Sequence, residues 1–292
     1  MVAEAFAGLR VDRLLTLGLF APLRRIGASA EAPTIPLLMY HSVADDIDRD
    51  VHPYFRTVTT PRSFEAQVRC LRERGLQGIT LSEAMRLLAA ADLGALQRKV
   101  VLTFDDGFRD FRTVAWPILQ RAGFGATVFM PTAYIGKSFV TGRDCLDAAE
   151  IRGLVADGVE FGSHSHSHCR LYTLDELALA RELRLSKSVL EDASGQAVTL
   201  FSYPYRFPEE DAHFTGRLRE QLDRAGYRAG VTTAIGRARV GDDAWLLPRL
   251  PVNDCDDAAL LGAKLDGHYD WLRTGQRLRK RARAVLGSRA GA

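Results

Sequence analysis

The chain has 292 residues, enough for one large domain or two small ones. Hydrophobic residues at 47% and charged residues at 26% are ordinary for a soluble globular protein. The net charge of +3, with no interleaved aromatic and basic motif, argues against a nucleic-acid partner.

Cys70, Cys145, Cys169 and Cys255 lie far apart without a CxxC pair, which argues against a zinc-thiolate site and fits buried thiols in a reducing compartment. Leu14 to Leu23 is about half as long as the roughly 20 residues that a membrane-spanning helix needs. Glu4 and Asp12 stand on the charged side of that run, and Pro22-Leu23-Arg24-Arg25 follows where small cleavage-site residues belong, so it does not read as a cleaved signal. The sequence places the protein in the cytoplasm, peripheral to a membrane at most.

In chain order, residues 1 to 30 read as an amphipathic helix outside the main fold. Ile35 to Tyr40 is a short strand ending in His41-Ser42, followed by a loop rich in Asp. Thr60-Pro61 opens a helix that stops at Gly75. A brief strand at Gly78 to Thr80 and a helix from Leu81 to Ala91 come next. The central strand is Val100-Val101-Leu102-Thr103-Phe104, which ends abruptly in Asp105-Asp106-Gly107. Helix from Phe111 to Ala122, strand from Ala126 to Met130, helix from Leu146 to Ala156 and strand from Val159 to Phe161 follow. The last strand runs into Gly162-Ser163-His164-Ser165-His166-Ser167-His168. A long helix from Leu174 to Ala193, strand from Val198 to Ser202, helix from Phe214 to Ala225, strand from Tyr227 to Thr232 and an extended segment from Trp245 to Val252 complete the alternation.

This alternation predicts an α/β fold with a largely parallel sheet, and its length suits a barrel with chemistry at the carboxyl ends of the strands. Side chains along a regular strand alternate between faces, so Asp105 and Asp106 can serve one site only where the strand breaks, which Gly107 permits. His164 and His168, at i and i+4, present two imidazoles to one side; the glutamate of H-E-x-x-H is absent, which argues against a zinc protease. His166 reads as a structural neighbour. Two imidazoles and one carboxylate form a metal site with open positions, and the second carboxylate is free to act as a base.

Thr103-Phe104-Asp105-Asp106-Gly107 and His164-Ser165-His166-Ser167-His168 resemble the first two motifs of the polysaccharide deacetylases, the NodB-homology domain of carbohydrate esterase family 4. Phe201-Ser202-Tyr203-Pro204-Tyr205 resembles the third. The resemblance implies a deformed (β/α)7 barrel, a divalent metal (zinc first, with cobalt, nickel or iron also suited) and removal of N-acetyl groups from amino sugars. Residue by residue it implies Asp105 as base, Asp106, His164 and His168 as metal ligands, and the Tyr205 backbone N–H as an oxyanion donor. The sequence departs from the family pattern at Ser202, where the third motif carries the arginine that orients the base; Arg249 is the candidate replacement. Arg206 stands where glycine is common. The late motif that supplies an acid histidine is not evident around His268. Instead Tyr40-His41-Ser42-Val43 resembles the Tyr-His-x-Val start of the subgroup that includes the poly-N-acetylglucosamine deacetylases, which implies His41 as the acid.

The domain reading is an amphipathic segment over 1–32, the deacetylase-like domain over 33–256 and a basic helix or tail over 257–292. The expected partner is an N-acetylated amino-sugar polymer or a lipid-linked glycan. Peripheral membrane contact through the two termini, with Arg277, Arg279, Lys280, Arg281 and Arg283 in the second, accompanies it. Competing readings are a C–N hydrolase acting on another small amide and a catalytically silent carbohydrate-binding barrel.

Overall fold

The computed structural model describes residues 10–26, 33–47 and 50–273. Eight parallel strands form its main sheet: β1 (Leu37–Tyr40), β2 (Gln77–Ile79), β3 (Lys99–Phe104), β4 (Thr127–Met130), β5 (Glu160–Ser163), β6 (Leu200–Ser202), β7 (Ala229–Ile235) and β8 (Leu247–Pro251). Seven of them close a ring, because β1 pairs with β8 on one side and with β3 on the other; β2 pairs only along the first half of β3. The architecture is the (β/α)7 barrel that the family resemblance implies, and a barrel is what the alternating pattern predicts.

The ring is deformed between β7 and β8. Val231 lies opposite Leu247, but Ile235 lies opposite Arg249, so β7 spends two more residues than β8 over the same stretch. Such a bulge releases carbonyls from the ladder, and the Thr232 carbonyl instead accepts a hydrogen bond from Arg249 Nε at 3.0 Å.

Strand parity sorts the apolar residues into two packed groups. Leu37, Val101, Phe129, Leu200, Val231 and Leu247 cluster together inside the ring. Leu38, Leu102, Phe104, Val128 and Phe161 pack against the surrounding helices. Those helices begin where their sequences supply caps. Thr60 accepts from Ser63 N at the start of α2 (Pro61–Glu73), Thr80 from Glu83 N at α3 (Leu81–Ala89), and Asp147 and Glu150 form a capping box at α5 (Ala148–Ala156), after α4 (Trp116–Ala122). α6 (Glu176–Ser194) stops at the left-handed Gly195, and α7 (Ala212–Arg224) follows β6.

The chain ends differ from the expectation of an external helix and a tail. The helix α1 spans residues 11–26 as Val11–Leu15, a π-helical stretch Thr16–Phe20, and Ala21–Ile26, and one side of it packs on the barrel. Asp12 receives Arg10 Nε at 2.8 Å and the Tyr269 hydroxyl at 2.6 Å, while Trp271 Nε1 donates to Thr16 Oγ1 and the Phe20 and Trp271 rings stack at 4.7 Å. α8 (Ala258–Leu265) buries Leu260, Leu261 and Leu265, so this part of the expected basic tail is a core helix; its basic remainder from 274 onward lies outside the described residues.

A buried ionic group ties these ends together. Lys264 donates to Asp256 Oδ2 at 2.8 Å and to the Pro251 carbonyl at 2.6 Å, and Arg10 reaches Asp256 Oδ1 at 3.3 Å. Gln67 on α2 donates to the Asp256 carbonyl, so the helices flanking β8 share one polar anchor. Removing one member of such a pair leaves the other buried without its counter-charge, at a cost of about 3–5 kcal/mol. Lys264→Ala is therefore expected to lower the unfolding free energy in urea by about 3 kcal/mol or more. A loss below 1 kcal/mol would show that Asp256 is satisfied without it.

Candidate active site

Asp105 directly follows β3 and still keeps the strand ladder, its amide donating to the Tyr40 carbonyl at 3.0 Å. It shares the strand face of Val101 and Thr103, which sends its side chain into the barrel. Asp106 follows with φ +70° and Gly107 with φ +59°. This double left-handed turn brings the second carboxylate back toward the site instead of to the outer face. A Cβ at Gly107 would lie 2.0 Å from Met130 Sδ, so glycine is required there for space as well as for backbone angle.

Asp105 is fully buried and held by Arg249 in a bidentate pair, with Nη1 to Oδ1 and Nη2 to Oδ2 both at 2.7 Å. Arg249 is itself buried and spends its other donors on Thr103 Oγ1 at 3.1 Å, Ser202 Oγ at 3.0 Å and the Thr232 carbonyl. Burial pushes the Asp105 carboxyl up, but the charge and hydrogen bonds of Arg249 hold it below the usual carboxylate range. Arg249 thus fixes the orientation of the Asp105 carboxylate, and Ser202, whose hydroxyl accepts from the guanidinium, is the small residue that leaves room for it.

His164 continues from β5, its amide bonded to the Met130 carbonyl at 2.9 Å. Its Nδ1 lies 2.8 Å from the Ser202 carbonyl, an acceptor only, so Nδ1 carries the proton and Nε2 presents a lone pair. That Nε2 faces Asp106 Oδ1 at 3.6 Å, and His168 Nε2 faces the same oxygen at 3.3 Å. One donor atom from each of Asp106, His164 and His168 lies within 4.8 Å of the others. Asp106 Oδ1 is buried without a hydrogen-bond partner. An orphaned carboxylate oxygen among imidazole nitrogens is costly unless a cation joins it, so these residues fit a divalent metal. Burial pushes the His164 imidazole down to about 4, which keeps it neutral and able to ligate near pH 7.

The serine spacers shape this loop. Ser163 Oγ accepts from Ser165 N, and Ser165 Oγ accepts from His168 N, at 3.2 and 3.1 Å. Ser165 and His168 take positive φ, as do Asp106 and Tyr205. Non-glycine residues hold such angles at a cost of about 1–3 kcal/mol each, and four of them surround this one site. The His168 ring is fixed between Phe139 at 5.0 Å and Tyr205 at 4.7 Å. His166 turns aside to bond Thr132 Oγ1 at 2.8 Å.

His41 follows β1, the barrel neighbour of β3, which places it on the same rim as Asp105 and Asp106. The adjacent Ser42 donates to Asp110 Oδ2 at 2.5 Å and Val43 N to Asp110 Oδ1 at 3.1 Å. Sequence reasoning passed over Asp110 and over Arg143, which pairs with Asp46 at 2.8 Å and approaches Asp110 at 3.7 Å. An Asp four residues beyond Asp106 was the available signal for the first. Tyr205, in the loop after β6, is half exposed. His268 follows α8, and its neighbour Asp266 shares a surface recess with Lys99 at the amino end of β3, the end opposite Asp105.

Two outcomes test this electrostatic account. Arg249→Ala is expected to cost about 3–5 kcal/mol of stability, and the Asp105→Ala, Arg249→Ala double variant less than the sum of the two single changes; additive losses in urea melts would refute the coupling. In the metal-free protein, the unfolded chain protonates His164 near 6.5 whereas the folded chain does so near 4. Stability from this residue is therefore complete above 6.5 and falls as pH drops toward 4, by about 3 kcal/mol at most. His164→Gln should flatten that slope.

Comparison with known proteins agrees with this geometry. Residues 94–230 match the family model for polysaccharide deacetylase. The chain is 29% identical over 234 residues to YxkH of Bacillus subtilis, named as a polysaccharide deacetylase, covering 80% of this chain and 76% of that one. It is 22% identical over 216 residues to a poly-beta-1,6-N-acetyl-D-glucosamine N-deacetylase of Staphylococcus aureus, covering 71% of each. The fold matches that of the Streptococcus pyogenes deacetylase PplD, solved in complex with acetate, with a TM-score of 0.68 at 24% identity over 80% of this chain and 99% of that one. The closed seven-stranded ring and the strand-end motifs agree with these matches: residues 94–230 of this chain are similar to the polysaccharide deacetylases, and the fold is theirs.

Proposed function

We propose that the protein is a metal-dependent N-deacetylase that hydrolyses the acetamide of amino-sugar units in a polysaccharide, releasing acetate and leaving the free amine. The observation that carries this reading is the convergence of Asp106, His164 and His168 beside the clamped carboxylate of Asp105. The three would hold a divalent ion, zinc first, with cobalt, nickel or iron also suited to the donor set. When bound, the ion polarises the acetamide carbonyl and lowers the pKa of a coordinated water.

The chain's own residues divide the remaining work. Asp105, kept ionised and oriented by Arg249, accepts a proton from the attacking water. The Tyr205 backbone N–H donates to the oxygen that becomes negative as water adds to the carbonyl carbon. His41 gives a proton to the nitrogen as the carbon–nitrogen bond breaks, so that one water is consumed and acetate and amine result. The Arg249 clamp on Asp105 supports this reading over a catalytically silent barrel, whose best support is the serine at position 202. A lipid-linked glycan is the second reading of the substrate, favoured by the exposed apolar side chains of α1, and peripheral membrane contact and a reducing, cytoplasmic compartment are part of this proposal. None of the described helices is long and apolar enough to cross a membrane.

The test is acetate release from N-acetylglucosamine oligomers and from a lipid-linked N-acetyl sugar, by the metal-reconstituted full chain. Asp105→Asn is expected to lower turnover by about 10²–10⁴-fold while metal stoichiometry stays unchanged. Full activity in that variant would remove Asp105 as the base, and no acetate from either substrate would overturn the reading.

A further inference from the structure

The outward side of α1 is unused by the chemistry above. Its inner side holds the buried Asp12 and Thr16, with Phe20 on Trp271. Its outer side presents Val11, Leu14, Leu15, Leu19 and Leu23, each between 36% and 56% exposed. These positions recur at i, i+3, i+4, i+8 and i+12, a continuous stripe about 18 Å long at helical rise. Single exposed leucines need no explanation, but five along one helix face mark an interaction surface.

The chain around the stripe indicates what covers it. Trp271 is tied to α1 through Thr16 and Phe20, and three residues later the sequence enters 274–292, which carries Arg277, Arg279, Lys280, Arg281, Arg283 and Arg289 and no acidic residue. At the other end of α1, the Arg10 guanidinium lies 5.8 Å over the Tyr54 ring, in the loop that also exposes Phe55 beside the barrel mouth. An apolar helix face joined to a purely basic segment complements an anionic bilayer, where acyl chains meet the one and headgroups the other. A second copy offers no such complement, since pairing two of these faces would bring two basic segments together.

We propose that the outward face of α1 is a lipid-binding face. It lays the flank of the barrel on an anionic membrane surface, with the basic segment 274–292 adding headgroup attraction and the mouth at one edge of the contact. This deepens the peripheral membrane contact of the proposed function; since neither metal nor substrate enters it, its failure is distinguishable from failure of the deacetylase chemistry.

Co-sedimentation of the full chain with vesicles tests it, using phosphatidylcholine alone and phosphatidylcholine containing phosphatidylglycerol. Partitioning onto the anionic vesicles is expected to exceed that onto neutral ones by tenfold or more and to fall as salt rises. A Leu14→Ser, Leu19→Ser, Leu23→Ser variant should lose at least tenfold in partitioning with unchanged melting temperature, circular dichroism and activity on soluble oligomers. Arg279→Ser with Lys280→Ser and Arg281→Ser should reduce binding to anionic vesicles only. Asp105→Asn should bind as the unsubstituted chain does. Equal partitioning by the triple leucine variant would overturn the proposal, as would a wild-type dimer in light scattering that becomes monomeric in that variant. Absence of vesicle binding by a monomeric wild type would also refute it.

Discussion

The site depends on one buried ion pair. Arg249 on β8 and Asp105 at the end of β3 belong to strands that are not neighbours, since β1 lies between them. Their two 2.7 Å contacts therefore cross the barrel interior instead of extending a ladder. A lysine could not replace the guanidinium here, because only the planar fork meets both carboxylate oxygens while still reaching Thr103, Ser202 and the Thr232 carbonyl. The bulge between β7 and β8 belongs to the same device: without its extra residues, the Thr232 carbonyl would be spent on the ladder.

This clamp has a chemical consequence that cuts two ways. A carboxylate held below its usual range stays ionised and ready to accept a proton, but it is a weaker base. The proton it accepts must then come from a water made more acidic than bulk water, which is the service a divalent ion at Asp106, His164 and His168 would provide. On the proposed reading, a base clamped this firmly beside three convergent donor atoms would work as half of a pair with a metal held by Asp106, His164 and His168. The neutral state of His164 belongs to the same logic, since burial disfavours the proton that would compete with an ion for Nε2.

Much of this was legible in the residues because it sits where periodicity breaks. An apolar strand ending in Asp105-Asp106-Gly107 has few physical explanations, and the His164 and His168 spacing after another strand narrows them to a shared rim. Arg249 was legible only through the family resemblance, as the candidate replacement for the arginine that the third motif has at the position of Ser202, because nothing in Leu247-Pro248-Arg249-Leu250 says that its side chain turns inward. The bulge that lets it do so is a matter of register between strands, which a sequence does not display. Asp110 and Arg143 escaped because their work is to hold loops, and their partners Ser42 and Asp46 are distant in sequence. The chain ends misled for a related reason. The leucines of α1 gave the amphipathic pattern correctly, but its polar side, Asp12 and Thr16, is the side that faces protein, and only Arg10, Tyr269 and Trp271 supply the partners that make this stable.

The distribution of strain ties the fold to the chemistry. Asp106, Ser165, His168 and Tyr205 all hold left-handed backbone angles, and each lies in a loop leaving the carboxyl end of a strand. Together they cost several kcal/mol by the usual penalty for such angles, a large fraction of the stability of an ordinary domain. The hydrogen bonds of Ser163 and Ser165 and the rings of Phe139 and Tyr205 hold this geometry, but none relieves the orphaned Asp106 Oδ1. The barrel therefore maintains three donor atoms in an arrangement that is unfavourable by itself, and the free energy released when a cation enters is what such a preorganised site stands to gain.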